Sequence, residues 1–198
     1  MTAHRLLEPT ALGERWIALR EGVAASNAAL RGGQDTRALA AETAIVAFLH
    51  GDMAAERPIA PIEFHIDTTT RRFDQVAPDY LQTTSKAIPL FSPRFVAEQK
   101  ETLGDDVEFV PVRLVLEDGA REFAVARTLR RLPIIDADAS EYRKLGPVRL
   151  RSVTRFIPLP EDAHVVRDAD DGAVLVATDR FVALIAEHGY HVGHLPYR

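Results

Sequence analysis

The feature that most constrains this chain is an internal repeat, in which the pattern of residues 92–112 returns at residues 178–197. The two segments align when Ser92 is placed against Thr178 and one residue is omitted before the glycine of the second copy. The identical pairs are Arg94 and Arg180, Phe95 and Phe181, Val96 and Val182, Ala97 and Ala183, Glu101 and Glu187, Gly104 and Gly189, Val107 and Val192, and Pro111 and Pro196. Both copies therefore predict the same order of a helix cap, a short amphipathic helix, a helix stop and a strand.

The ends of the two predicted helices are marked by residue types with a defined role. Ser92 and Thr178 suit the N-cap position, because their hydroxyls can accept a hydrogen bond from a backbone N–H of the first turn. Pro93 suits the first helical position, where a backbone N–H would have no partner. Gly104 and Gly189 are placed where a left-handed residue ends a helix. The apolar residues that predict the buried helix faces are Phe95, Val96, Leu103, Phe181, Val182 and Ile185.

The residues around the second copy also resemble a known family. An apolar strand at Ala173–Val176, a Thr-x-Arg-Phe helix start at Thr178, a glycine stop and a final strand are similar to the closing unit of one bacterial family. This family is the type eleven immunity proteins of polymorphic toxin systems. Its members carry an earlier copy of the unit, then a hairpin and an L-x-x-x-D-x-x-x-S connector, and Leu132–Ser140 has that form here. The resemblance covers roughly residues 79–197.

The resemblance implies a protein that needs no chemistry of its own. Such a protein would neutralise a cognate toxin in the cytoplasm by direct contact, and the matched motifs bring no catalytic residue, metal or cofactor. We therefore expect a non-enzymatic binding protein, and the sequence leaves its oligomeric state open. If the toxin surface is basic, acidic side chains are the expected contacts, since opposite charges accelerate association. The candidate contact residues are Glu161, Asp162, Asp168, Asp170 and Asp171.

The overall composition is that of an ordinary globular protein. Of the 198 residues, 46% are hydrophobic and 27% are charged, which is enough to build a substantial core. The formal net charge of -5 provides no general attraction to nucleic acid. The absence of cysteine excludes disulfides and thiolate chemistry. The sequence shows neither the apolar run of a signal peptide nor a membrane-length stretch, so we expect a cytoplasmic protein with no membrane contact.

Residues 1–57 predict a helical N-terminal segment. Helical spacing begins at about Pro9 or Thr10 and ends near the Gly-Gly pair at residues 32–33. Asp35 is placed to cap a second helix, and Gly51 is placed to end it. The apolar residues of the first helix are Leu12, Trp16, Leu19 and Val23, of which Trp16 is expected in the core.

Residues 58–198 predict an α+β domain that contains both copies of the repeat. Apolar and polar residues alternate over residues 62–66, 110–116 and 148–156, which is typical of half-buried strands. Glu117–Gly119 is a hairpin turn signal. Because most of these strands follow one another without long connections, we expect a largely antiparallel or mixed sheet.

A metal-dependent or unclassified hydrolase is the alternative function, based on His188, His191 and His194. Three imidazoles can bind zinc and leave a catalytic position open. Residues three apart in a strand point to opposite faces, however, so His191 and His194 are expected to diverge. Surface or partly buried histidines are therefore the favoured interpretation.

Two further charged patterns have features of binding sites. Arg149, Arg151 and Arg155 share a predicted strand face that could contact phosphates, but few aromatic residues accompany them, so a solvated face is favoured. Asp168–Gly172 is similar to the start of a calcium loop, but its glycine comes one place early. A solvated acidic turn is favoured there. The sequence contains no phosphate-loop, dinucleotide or nucleophile-elbow motif.

Overall fold

The computed structural model of the chain describes residues 1–7, 17–31, 33–83, 87–145 and 148–197. Helices and strands both occur along the described residues, which confirms the predicted α+β class. Within these ranges no helix is both long enough and apolar enough to cross a membrane.

The described chain contains short helices and mostly short strands. The helices are α1 (Arg20–Leu30), α2 (Thr36–Leu49), α3 (Thr70–Val76), α4 (Pro93–Gln99) and α5 (Asp179–His188). The strands are β1 (Ala3–Leu7), β2 (Ile17–Leu19), β3 (Glu63–Ile66), β4 (Tyr80–Gln82), β5 (Pro89–Phe91), β6 (Val107–Leu116), β7 (Gly119–Thr128), β8 (Arg131–Leu132), β9 (Glu141–Leu145), β10 (Val148–Val153), β11 (Val165–Asp168), β12 (Leu175–Thr178) and β13 (Gly193–Pro196).

These strands pair mainly with antiparallel neighbours. One sheet has the order β2-β3-β6-β7-β5-β4, a second has the order β13-β1-β12-β11-β8, and β9 and β10 form a separate hairpin. The pairs β3 with β6 and β8 with β11 are parallel. The predicted hairpin turn at residues 117–119 joins β6 to β7, as expected. The prediction of a largely antiparallel or mixed sheet is confirmed.

Both copies of the repeat form the predicted order of cap, helix and strand. Ser92 Oγ accepts the N–H of Phe95 at 3.1 Å at the start of α4, and Thr178 Oγ1 accepts the N–H of Phe181 at 3.5 Å at the start of α5. Gly189 ends α5 in the left-handed conformation, with φ +62°. These interactions are local in the sequence, which is why the residue pattern predicted them.

Gly104 does not have the predicted role of a left-handed helix stop. Helix α4 ends at Gln99, and the chain continues through successive turns to β6. Gly104 is not among the residues with positive φ. The N–H of Leu103 bonds to the carbonyl of Gln99, and the N–H of Val107 bonds to the carbonyl of Leu103. Because these hydrogen bonds turn the chain gradually, no single left-handed residue is required.

The structural repeat is longer than the sequence repeat. A strand precedes each cap and pairs with a further strand, giving β4 with β5 in the first unit and β11 with β12 in the second. The N–H of Ser92 bonds to the carbonyl of Asp79 at 3.1 Å, and the N–H of Thr178 bonds to the carbonyl of His164 at 2.9 Å. Each unit thus consists of a hairpin, a helix and a strand. The first unit begins near Asp79 and the second near His164.

Residues 1–57 were predicted to be helical, but they also supply the strands β1 and β2. Ile17 and Leu19 lie in β2 and pair with Ile66 and Phe64 of β3. Both are almost completely buried and belong to the hydrophobic core of the six-stranded sheet. Strand β1 lies between β12 and β13 of the second sheet. Leu12, Trp16 and the predicted helix start at residues 9–10 fall outside the described residues.

The second helix of this segment forms as predicted. Asp35 Oδ1 accepts the N–H of Ala38 at 2.9 Å at the start of α2, and Gly51 has φ +83° just after its end. Phe48 and Leu49 are buried in the core of the six-stranded sheet. Leu39, near the start of α2, is 55% exposed. Only the last turns of α2 therefore reach the core.

An aromatic cluster joins the two repeat units. Phe91 stacks on Phe95 with ring centroids 4.4 Å apart, and Phe95 lies 4.7 Å from Tyr190. Phe181 of α5 contacts Phe91 at 6.3 Å, edge to face. Aromatic pairs in these geometries contribute roughly 0.5–1.5 kcal/mol beyond the burial of their surface. The helices α4 and α5 therefore share one core, which holds the two units in a fixed relation.

Candidate functional site

The structure does not bring together the three histidines of the alternative metal-site hypothesis. The ring of His188 stacks on Tyr190 at 5.5 Å, and His194 meets His4 edge to face at 5.3 Å. His191 Nδ1 lies 3.3 Å from the carbonyl oxygen of Ala77. In the part of the chain that the structure describes, no group of three or more His, Asp or Glu side chains is arranged to hold a metal ion.

Asp168 is buried, so it cannot be a partner contact as predicted. It is only 1% exposed. One carboxylate oxygen accepts the N–H groups of Ile134 and Ile135 at 2.9 and 3.2 Å, and the other accepts those of Asp170 and Asp171 at 3.0 and 2.7 Å. The carboxylate thus accepts backbone hydrogen bonds from two separate segments of the chain. Its role is to fix the turn after β11.

The remaining acidic candidates lie at opposite ends of β11. Glu161 and Asp162 precede the strand and are exposed, and Asp162 pairs with Arg130 Nη1 at 2.9 Å. Hydrogen bonding from Arg130 holds the pKa of Asp162 below its ordinary value. Asp170 is exposed and Asp171 is half-buried beyond the other end. The predicted acidic surface is therefore divided into two small groups. In the predicted arginine face, the side chains of Arg149 and Arg151 lie outside the described part of the structure, and Arg155, which follows β10, is exposed.

A cleft of about 440 Å³ lies where the two repeat units meet α3. We call it the junction cleft. Its floor is apolar and includes Phe73 of α3 and Phe123 of β7, whose rings meet edge to face at 5.7 Å. Ala77, Pro78 and Pro93 extend this apolar surface. Charged side chains surround it, namely Asp74, Asp79, Arg94, Arg121 and Glu122, together with His191.

Asp79 connects the two repeat units at one wall of the junction cleft. Its carboxylate accepts the hydroxyl of Ser92 at 2.7 Å, Arg94 Nη2 at 2.7 Å and the backbone N–H of His191 at 2.9 Å. Burial opposes its ionisation, but the hydrogen bonds from His191, Ser92 and Arg94 hold the pKa of Asp79 below its ordinary value. Asp79 is therefore ionised at neutral pH and fixes all three partners.

Arg94 is held flat against the wall of the cleft. Its guanidinium lies 5.0 Å from the ring centroid of Tyr190, and two of its nitrogens contact Asp79. Half of the side chain is exposed, so the guanidinium still reaches solvent. A cation over an aromatic face contributes roughly 0.5–2 kcal/mol. This arrangement presents a positive group in a fixed position, with little rotamer freedom left to lose on binding.

The opposite rim is formed by an ion pair between α3 and β7. Arg121 Nε donates to Asp74 at 2.9 Å, and a second guanidinium nitrogen contacts the other carboxylate oxygen. The hydrogen bond from Arg121 holds the pKa of Asp74 below its ordinary value. The start of α3 is fixed by Asp118, which accepts the N–H of Thr70 at 2.6 Å. Both charges of the rim are therefore positioned by ordered elements.

Ala77 gives this rim an unusual backbone conformation. It ends α3 at φ +44°, which is a left-handed conformation that residues with a Cβ rarely adopt. Its N–H bonds to the carbonyl of Phe73 at 2.9 Å, and its own carbonyl faces the His191 ring. The turn at Ala77 therefore brings α3 against the loop that follows α5.

The chemistry of the junction cleft is suited to binding. The Ser92 hydroxyl is fully engaged, since it donates to Asp79 and accepts from Phe95. Asp74 and Asp79 are held in the ionised form, so neither is an acid at neutral pH. What the cleft offers is an apolar floor surrounded by charges in fixed positions.

The sequence did not predict this site. Asp79 and His191, whose backbone N–H bonds to the Asp79 carboxylate, are 112 residues apart in the chain. The available signal was the identity of Arg94 and Arg180 in the two copies, since an arginine at the same exposed position of both helices suggests a shared polar role. In the second unit Arg180 donates to the carbonyl of Asp162 at 3.1 Å instead.

Comparisons with known proteins do not identify a family. No family model matches the chain, and no curated protein matches it significantly. The resemblance to type eleven immunity proteins therefore depends on the residues of the repeat region alone, and it stays a prediction.

Proposed function

We propose that this chain is an immunity-type binding protein, which neutralises a cognate bacterial toxin by direct contact through a surface that includes the junction cleft. The observation that carries the proposal is the combination of an apolar floor and fixed charges at the meeting point of the two repeat units. The residues that resemble the immunity family build the scaffold of this cleft. The second unit contributes His191, and the first contributes Ser92 and Arg94.

The cleft has the size and composition of a binding site for a protruding side chain. Its volume of about 440 Å³ falls within the roughly 300–1,000 Å³ that is typical of ligand pockets. Protein interfaces depend strongly on a few apolar or aromatic side chains that fill such pockets, with polar groups around them. This pattern fits an apolar toxin side chain that packs on Phe73 and Phe123. Polar groups of the toxin beside it would contact Arg94 and Glu122.

The rigidity of the site also supports an inhibitor. Arg94 is fixed by Asp79 and Tyr190, and Arg121 is fixed by Asp74. Ordering a flexible side chain at an interface costs roughly 0.5–1.5 kcal/mol, and much of this cost is already met in the free protein. A preorganised surface of this kind favours slow dissociation, which an effective toxin inhibitor needs. The alternative hydrolase has no comparable support, because its three histidines are separated.

The test is protection of growing cells from a toxin. The protein is co-expressed with the toxin candidate encoded beside its gene, and growth and complex formation are measured. We compare Glu122→Trp, which places a large ring at the exposed rim of the cleft, with Glu187→Trp on the exposed surface of α5 outside the cleft. Wild type and Glu187→Trp are expected to protect and to form a 1:1 complex, while Glu122→Trp should bind at least about tenfold more weakly.

Two outcomes separate the parts of this proposal. If the wild-type protein neither protects the cells nor binds the toxin candidate, the immunity function is wrong for that pair. If Glu122→Trp protects as well as Glu187→Trp, the toxin binds elsewhere and the role of the junction cleft is wrong.

A further inference from the structure

Among the described strands, none pairs with the edge of β7 that borders the junction cleft. Strand β5 pairs with β7 only as far as Phe91, which lies opposite Ala124. The chain then turns away from the sheet, because Ser92 caps α4. Residues 119–123 of β7 therefore extend past the end of β5, and three of them line the junction cleft. The cleft lies where β5 would continue if it remained a strand.

The backbone of Glu122 points toward this open edge. Glu122 lies opposite Arg113 of β6, and the N–H of Arg113 bonds to the carbonyl of Ile62 on the far side of β6 at 3.0 Å. Two opposite residues of an antiparallel pair either bond to each other or both face away from each other. The N–H and carbonyl of Glu122 therefore face the cleft. The carbonyl of Ala120, which has the same direction, accepts Arg121 Nη1 at 2.8 Å.

Strand β1 is the counterpart of β7 in the second repeat unit. It lies between β13 and β12, as β7 lies between β6 and β5. The register also agrees, since the two prolines matched by the sequence repeat lie opposite corresponding residues, Pro111 opposite Ala124 and Pro196 opposite His4. The residues two positions before these, Glu122 and Thr2, are therefore equivalent.

In the second unit the equivalent N–H has a partner. The N–H of Thr2 bonds to Asp179 Oδ2 at 2.6 Å. Asp179 is the first residue of α5, and the residue in that place in α4 is Pro93. The side chain of proline has no acceptor for an N–H. The described part of the first unit therefore lacks the carboxylate that closes the edge in the second unit, and the N–H of Glu122 stays open to a partner.

The side chains around this edge indicate which strand would fit. Opposite residues of two paired strands lie side by side on the same face of the sheet. A residue added opposite Phe123 would thus lie on the apolar floor beside Phe73. The next residue would lie beside the exposed side chain of Glu122, on the other face. Glu122 forms no ion pair with the described residues, since its neighbour Arg113 contacts Glu63 at 3.5 Å, so a basic residue is favoured there.

We propose that an extended segment of the cognate toxin enters the junction cleft as an added strand, antiparallel to β7, and pairs with the backbone of Glu122. Its carbonyl accepts the N–H of Glu122, and its own N–H donates to the Glu122 carbonyl. An apolar side chain of the segment packs on the floor, and a basic one lies beside the Glu122 carboxylate. Strand addition to an open sheet edge is a recurring mode of peptide recognition. This inference rests on the proposed function and adds the conformation of the toxin segment.

Substitutions of Pro93 test the added strand, with the purified toxin candidate encoded beside the gene as the probe. Pro93→Asp supplies the carboxylate that Asp179 provides in the second unit, so it should occupy the N–H of Glu122 and repel the incoming carbonyl. Pro93→Ala is the matched control, since it removes the same ring without adding an acceptor. By isothermal titration calorimetry, Pro93→Asp should bind the toxin at least about tenfold more weakly than Pro93→Ala. Circular dichroism verifies that both variants are folded.

Hydrogen exchange of the Glu122 amide, followed by NMR, provides a readout in the wild-type protein. This amide should exchange rapidly in the free protein, because it lies at an open edge, and at least about tenfold more slowly in the toxin complex. In free Pro93→Asp it should already be protected. If wild type does not bind the toxin candidate, both the immunity function and the added strand are overturned for that pair. If wild type binds but the two Pro93 variants bind equally, or the Glu122 amide is not protected in the complex, only the added strand is overturned.

Discussion

Replacing Asp106 by asparagine tests whether buried carboxylates hold the two repeat units together. Asp106 follows α4 in the first unit and is only 2% exposed. One of its oxygens accepts the N–H groups of His164 and Val165, at 2.6 and 3.3 Å, at the start of the second unit. The other oxygen lies 2.7 Å from Arg130 Nε. The substitution keeps the shape of the side chain but removes its charge and one of its acceptors.

The size of the effect follows from these contacts. The asparagine amide would direct N–H groups at either Arg130 or the backbone N–H of His164, so one buried donor would lose its partner. Breaking a buried ion pair typically costs about 3–5 kcal/mol. The cost here should be lower, because Arg130 is 20% exposed and keeps Asp162 as a second partner. We expect a loss of about 2–4 kcal/mol in the free energy of unfolding, or about 5–15 °C in Tm.

Urea unfolding followed by circular dichroism at pH 7 measures this loss. The control is Asp162→Asn, which removes the 71% exposed partner of the same arginine and should have a much smaller effect, because solvent screens an exposed ion pair. If Asp106→Asn costs no more than Asp162→Asn, the reasoning about the buried carboxylate is refuted.

The pH dependence of the Asp106→Asn effect provides a second check. Burial opposes the ionisation of Asp106, but hydrogen bonds from His164 and the charge of Arg130 place its pKa below the ordinary value. A carboxyl with a lowered folded-state pKa contributes stability that is fully present above its unfolded pKa of about 4 and is lost as the pH falls through the folded value. The difference between wild type and Asp106→Asn should therefore be constant from pH 7 to 5 and decrease below about pH 4. A difference that persists unchanged to pH 2 would contradict this account.

Three substitutions at left-handed residues separate backbone strain from steric overlap, each measured by urea unfolding. Gly189→Ala should cost about 1–2 kcal/mol, because φ is +62° but nothing lies within 4 Å of the added Cβ. Gly51→Ala should cost clearly more, because its Cβ would also overlap the carbonyl oxygen of Thr128; equal losses at the two glycines would show that this overlap is relieved easily. Ala77→Gly should raise the free energy of unfolding by about 0.5–1 kcal/mol through relief of strain at φ +44°, and a decrease would mean that the unfolded-state entropy of glycine dominates.

The sequence by itself determined the elements whose hydrogen bonds are local. Ser92 and Thr178 cap their helices through an N–H three residues ahead, and Asp35 does the same for α2. The turn between β6 and β7 likewise joins neighbouring residues. In these cases the residue types and their spacing contain all the information, because every partner lies within one turn of the chain. The α+β class followed from counting such elements.

Only the tertiary structure decided the features that depend on distant partners. Leu19 was predicted in a helix because it has helical spacing with Trp16 and Val23, yet Ile17 and Leu19 form a strand because β3 offers a pairing edge and a buried surface. Asp168 begins a segment with the composition of a solvated loop, yet its carboxylate is buried and accepts hydrogen bonds from the N–H groups of Ile134 and Ile135. The junction cleft depends on a contact between Asp79 and a backbone N–H 112 residues away. Contacts between residues so far apart in the sequence arise from the packing of whole units, and local residue patterns cannot predict them.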